Sequence, residues 1–326
     1  PWDLLDAGDV RFAEVCAICL RAVLTASSGP LDAQDRTPLH LLCSRHGRLL
    51  RLDAEYVEPF LGSEDAALAV DASGGTPLHS ACRDVPCDGD LDVSFLTRVA
   101  ALGGASIQNA SGWTPLHIFV QKHALVLGVR EDDAPAWRAL RVLIDAHPAA
   151  AGTANAAGDT CLHLVCAAHK RGASQNLARL LDVLLDAAGP AAERAATARG
   201  KGDRSPLEWL PRKGEFYAAC EEVLVKRRAR CLELLLDHCP AAASASLPES
   251  GDLALHQLCG SGVASVPMIE ALLKRHPEAA TARNAQGKTP MHEAARHGHV
   301  EMCRLLLQGG SKVDSHKTNA WTPLMY

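Results

Sequence analysis

Aromatic side chains are scarce: Phe, Trp and Tyr make up 4% of this 326-residue chain. So few rings do not suit a single large core or a platform on which bases stack. Excess positive charge is also missing, with 33 basic against 38 acidic residues and a formal charge of −5. No global basic field draws the chain to nucleic acid, and no nucleic-acid partner is expected. No apolar stretch approaches the ~18 to 20 residues of a membrane helix, so direct membrane insertion is not expected. Gly-rich phosphate loops and HExxH are absent, leaving no cofactor or catalytic residue to assign. With 48% hydrophobic and 22% charged residues the composition is globular.

Twelve cysteines are present, scattered through amphipathic segments rather than packed into a short disulfide scaffold. Reduced thiols in an intracellular, cytoplasmic compartment are the simpler reading. An organelle such as a plastid stays open, because the chain starts at Pro1 without a methionine. The sequon Asn109-Ala110-Ser111 is read as a chance triplet.

One tetrapeptide recurs. Thr37-Pro38-Leu39-His40 returns as Thr76-Pro77-Leu78-His79 and Thr114-Pro115-Leu116-His117. Looser copies begin at Thr160, Ser205, Leu253, Thr289 and Thr322, with spacings of 33 to 48 residues. Eight copies define a repeat. Threonine is a helix N-cap, proline suits the first helical position, and the leucine turns inward. Small residues follow, as in Ser80-Ala81-Cys82. A second amphipathic helix comes next, for example Ala139–Ile144 or Val300–Leu307. A turn such as Ser111-Gly112 or Gln286-Gly287 leads on. Such a helix pair buries its apolar face only against a neighbour.

The repeat resembles the ankyrin family, whose pattern residues 284–299 follow almost letter for letter. The resemblance implies an all-α ankyrin repeat solenoid of stacked helix-turn-helix units with short hairpin turns. It covers residues 1–326 as a single array of about eight units with partial repeats at both ends. Residues 1–36 read as the tail of one further repeat, with an outer helix opening at Asp9-Val10-Arg11 and running through Val15 to Leu24. Several units exceed the family's length, the excess falling at Val85–Leu91 and Leu125–Pro135. The fifth lacks the motif histidine, has Leu210-Pro211-Arg212-Lys213-Gly214 after its motif, and carries a long charged second helix. Outer helices end in Pro-Ala-Ala or Pro-Glu-Ala-Ala at Pro148, Pro240 and Pro277, which leaves the hairpin geometry there open. Thr322–Tyr326 opens a repeat and stops; the expectation is that the native chain continues or that a partner covers this end.

His-x-x-Cys occurs four times, at His40/Cys43, His79/Cys82, His163/Cys166 and His256/Cys259, with Cys16-x-x-Cys19 upstream. The pairs share a helix face, as metal ligands would. The structural reading is stronger: the resemblance assigns the histidine to bonds bracing neighbouring turns, and the cysteine fills a small buried position. No metal is expected. Lys226-Arg227-Arg228-Ala229-Arg230 is either an import signal or the solvated face of a helix, and apolar Val223, Leu224, Leu232 and Leu235 opposite favour the second. Trp209 reads as core, and Trp113 and Trp321 as tolerated aromatics beside the motif.

The expected function is protein–protein interaction, as a scaffold, adaptor or structural subunit of a larger complex without catalysis of its own. The alternative is the ankyrin region of a larger enzyme or channel, such as a kinase or ubiquitin ligase. The resemblance places the partner on inner helices and hairpin tips, here Ser73, Ser111, Trp113, Asp159, Asp203, Lys288 and Trp321. Seven or eight residues beyond the motif threonine, cations recur at Arg45, Arg83, Lys122, Arg212, Lys213 and Arg296. His169 and Lys170 come late, and Gly260-Ser261 breaks the series. These cations either complement helix C-terminal dipoles or form a seam for an acidic partner segment.

Overall fold

The computed structural model describes residues 33–44, 64–84, 93–127, 134–168, 177–209, 221–261, 266–316 and 320–325, without the side chains of 64, 84, 125, 126 and 221–228. Outside the described residues lie the expected helix through Val15 to Leu24, Cys16, Cys19, the insertion from Val85 to Leu91, His169, Lys170, the Leu210–Gly214 segment and Tyr326. The described residues are helical apart from turns and two isolated β-bridges. No helix among them is long and apolar enough to cross a membrane.

Contacts group the chain into two compact units, residues 1–119 with 133–147 and residues 120–132 with 148–326. In the first, inner helices Pro38–Cys43 and Pro77–Asp84 pack together, as do outer helices Val93–Ala101 and Pro135–Ala146. In the second, one layer holds inner helices Cys161–Ala168, Pro206–Trp209, Ala254–Gly260 and Pro290–Arg296. A second layer holds Leu177–Ala188, Glu221–His238, Val266–Arg275 and Val300–Gln308, each against the next. This two-layer order is the all-α ankyrin solenoid that the motif implies.

The sequence explains each layer. Leu177, Leu180, Leu181, Leu184, Leu185 and Ala188 are all buried, a spacing that places them on one helix face. The motif leucine is buried in seven successive repeats, from Leu39 to Met291, at no more than 2% exposure. Each such side chain contributes roughly 2 kcal/mol of apolar burial. Leu324, its counterpart in the eighth, is 82% exposed.

The Pro-Ala-Ala endings have a definite form. Pro148–Gly152, Pro240–Ala243 and Pro277–Ala280 are 3-10 turns whose later alanines are buried. The preceding His147, Cys239 and His276 leave helical φ/ψ, as a residue before proline tends to do. In the third repeat, part of the expected insertion instead lengthens the inner helix, which runs Pro115–Leu127.

Hairpin glycines with positive φ let neighbouring backbones close in. Gly158 has φ +82°, and a Cβ there would overlap the Arg199 carbonyl oxygen of the next hairpin. Gly189, at φ +49°, has nothing within 4 Å of that position. Gly189→Ala is expected to cost about 1 kcal/mol from backbone strain alone. Gly158→Ala should cost at least twice as much, about 2 to 4 kcal/mol, because the hairpins must part. Urea melts of the two variants check this; equal losses would show that close approach adds nothing.

Candidate functional site

Four hairpins close on themselves through an Asp or Asn. Asp71 Oδ1 accepts from Ser73 N–H (2.9 Å), Ser73 Oγ–H (2.6 Å) and Gly75 N–H (2.8 Å). Asn109 Oδ1 accepts from the N–H groups of Ser111 and Trp113, both at 3.0 Å. Asn155 takes those of Ala157 and Asp159, and Asn284 those of Gln286 and Lys288. These are Asx-type turns. Burial alone would raise the Asp71 carboxyl, but the Ser73 hydroxyl and the Gly75 and Ser73 amides hold it below its ordinary value. Backbone bonds join tips: Ala72 N–H donates to Gln34 O, Ala110 to Ser73 O and Ala285 to Ser250 O, at 2.8 to 2.9 Å.

Histidine ties repeats one to two, two to three, four to five, six to seven and seven to eight. In the second, Nδ1 of His79 accepts from Thr76 N–H (3.0 Å) and sits 2.8 Å from Thr76 Oγ1. Nε2 lies 2.9 Å from the Trp113 carbonyl oxygen. An N–H aimed at Nδ1 requires a lone pair there, and a carbonyl opposite Nε2 requires a proton there. The ring is therefore neutral, with its hydrogen on Nε2. The same geometry sets His40 against Gly75 O (2.8 Å), His163 against Arg204 O (2.9 Å), His256 against Lys288 O (3.1 Å) and His292 against Trp321 O (3.2 Å). The carbonyls of Gly75, Trp113, Arg204 and Lys288 also accept their own hairpin's closing N–H at 2.9 Å. One oxygen thus serves two repeats. In the sixth repeat Leu253 offers only its N–H to His256, at 3.2 Å.

Charge replaces the histidine in the fifth repeat. Glu208 Oε2 accepts Ser205 N–H at 2.9 Å, the role Nδ1 plays elsewhere. Arg199 donates to Glu208 at 2.8 and 3.0 Å, and its other nitrogen reaches the Ser246 carbonyl at 2.7 Å. The Glu208 side chain is 2% exposed, so its charge depends on this partner. The missing histidine is visible in the sequence, but the Glu208–Arg199 pair that replaces it is not. Arg283 makes a similar arm, donating to Gly287 O and to His316 O in the following turn.

The cysteines of His-x-x-Cys, Cys43, Cys82, Cys166 and Cys259, are all buried. Burial pushes the thiols of Cys161, Cys166 and Cys259 well above their ordinary value and that of Cys231 up to about 12. Among the described residues, no group of three His, Cys, Asp or Glu converges as metal ligands would.

The residues expected at a partner surface fall into three groups. Ser73, Ser111, Asp203, Trp321, Arg83, Lys122 and Arg296 are exposed. Trp113, Asp159 and Lys288 are half-buried and serve the frame: the Trp113 ring meets His117 edge-on, Asp159 Oδ1 accepts Lys201 N–H, and Lys288 Nζ bonds Glu293 at 2.9 Å. Arg45, Arg212 and Lys213 lie outside the described residues. Arg83 and Arg296 occupy last helical turns. Lys122 does not, because its helix continues to Leu127; a dipole at the helix end does not account for it. Trp209, expected in the core, is half-buried with the Arg204 guanidinium 5.8 Å from its ring centre. Arg230 of the basic run is exposed and pairs with Glu233.

Residues 216–319 match the sequence pattern of ankyrin repeats, in three copies. Over 66 residues the chain is 38% identical to the SMC5-SMC6 complex localization factor protein 1 of Homo sapiens and 36% to that of Bos taurus. These matches take in 20% of this chain and 6% of either relative. The fold is similar to the ankyrin repeat domain of Bcl-3, a member of the IkappaB protein family, with a TM-score of 0.56 at 24% identity over 78% of this chain and 94% of that one.

The neutral histidines make acid destabilising. Burial presses the His79 ring down to about 4, against an opposing pull from its bond to Trp113; burial also lowers His163 and His256. Between pH 6.5 and 4 the unfolded chain binds protons that folded His79 refuses, so stability falls with pH across that window and levels off below it. His79 alone accounts for about 3 kcal/mol. Asp71, with its lowered value, acts in the same direction at lower pH. Melting temperature is expected to fall steadily from pH 7 to pH 4, as followed by circular dichroism. A flat profile would contradict the tautomer assigned above.

Proposed function

Starting from an ankyrin repeat fold, we propose that this protein is an interaction scaffold or adaptor, or a structural subunit of a larger complex, without catalysis of its own. The observation that carries the reading is a division of labour among side chains. Motif threonines, histidines and hairpin Asp or Asn are committed to internal bonds, and Arg83, Lys122, Arg296, Ser111, Asp203 and Trp321 present exposed side chains, as does Ser73, whose hydroxyl also bonds Asp71. Ankyrin repeats are in general protein–protein interaction modules, and the similarity to a complex localization factor supports attachment to an assembly. Residues 1–326 act in this reading as one array. Its ligand is another protein's acidic segment, met by cations including Arg45, Arg212 and Lys213, rather than nucleic acid. An intracellular setting suits the buried free thiols.

Reversing Arg83, Lys122 and Arg296 to glutamate together tests the proposal. Exposed charges contribute little to stability, so the melting temperature should move by no more than a few degrees. Partner capture from native cells, measured by quantitative mass spectrometry, should fall at least about tenfold, and salt should weaken the wild-type contact too. Unchanged capture would remove the cationic residues from the interface.

A further inference from the structure

The second unit contains two chemically different kinds of joint. Repeats four to five, six to seven and seven to eight are tied by His163, His256 and His292, each bonded to a carbonyl of the next hairpin. Repeats five to six are tied by Glu208 and Arg199, with the guanidinium on Ser246 O. We infer that the joint between the fifth and sixth repeats is a built-in exception to acid, staying closed at a pH that loosens the histidine joints on either side.

The reasoning is one of proton demand. A protonated imidazole would turn an N–H towards the backbone N–H that its Nδ1 now accepts, so proton uptake and the histidine joint exclude each other. The charged joint contains no imidazole, and carboxylate and guanidinium groups ordinarily keep their charges from pH 7 to pH 5. Neighbouring groups do not erase the contrast. His163 faces Asp159 and Arg199, and His256 faces Asp252 and Glu293; burial still lowers both rings. The helices packed against Pro206–Trp209 bring Cys161, His163, Cys166, Glu193, Arg194, His256 and Cys259. Of these only the two histidines carry an imidazole, and both belong to the neighbouring joints. Salt separates the joints in the opposite sense. Ions screen a guanidinium–carboxylate pair whose arginine side chain is 21% exposed but leave a neutral imidazole bond nearly untouched.

Hydrogen exchange of the intact chain at pH 7, 6 and 5, referred to the intrinsic rate at each pH, tests this. Leu247 and Gly251 amides close the sixth hairpin, and Asn284 and Gly287 amides close the seventh. From pH 7 to 5, protection at Asn284 and Gly287 should drop about tenfold or more, while Leu247 and Gly251 lose less than about threefold. Added salt at pH 7 should reverse the ranking. Arg199→Gln should weaken Leu247 and Gly251 selectively at pH 7. If that variant does not fold, the wild-type series still decides. A parallel fall at both hairpins on acidification would overturn the inference.

Discussion

A backbone carbonyl with two occupied lone pairs is the junction on which the repeats depend. The oxygens of Gly75, Trp113, Arg204 and Lys288 each take one bond from their own hairpin and another from the preceding repeat's histidine. A hairpin that opened would lose its neighbour's support at the same atom. Local turn geometry and stacking are thereby made one cooperative event, as nearest-neighbour coupling in repeat proteins requires. The neutral imidazole spans this gap with one side chain, because it accepts on one side and donates on the other.

Substituting that ring takes two side chains. Glu208 supplies the acceptor and Arg199 the donor, and the two are held together by their own ion pair. A buried carboxylate is costly to desolvate, and its balance rests on the guanidinium staying in place. The fifth repeat therefore keeps the function of the motif while exchanging a neutral bond for a charged one.

Much of this was legible in the sequence. Thr-Pro-Leu-His fixed helix starts, burial of the leucine and the order of the layers, because capping and apolar spacing are local properties. The role of the cysteines also followed from their neighbours in the motif. What escaped was non-local. Arg199 and Ser246 are far apart in the chain, and nothing in either residue's surroundings marks them as partners. The stop made by Pro-Ala-Ala became clear only as 3-10 turns with buried alanines. Lys122 stands eight residues beyond its motif threonine and Arg83 seven, yet a longer helix placed Lys122 in mid-helix.

Cys43, Cys82, Cys166 and Cys259 stand at one repeated position, in four different repeats, and all four are buried. A thiol shut away in apolar surroundings keeps its proton and reacts slowly with electrophiles. It becomes an ordinary nucleophile only while its own repeat is open. The chain thus carries native chemical labels at regular stations, and the order in which alkylating reagents modify them reads out the order in which the repeats open.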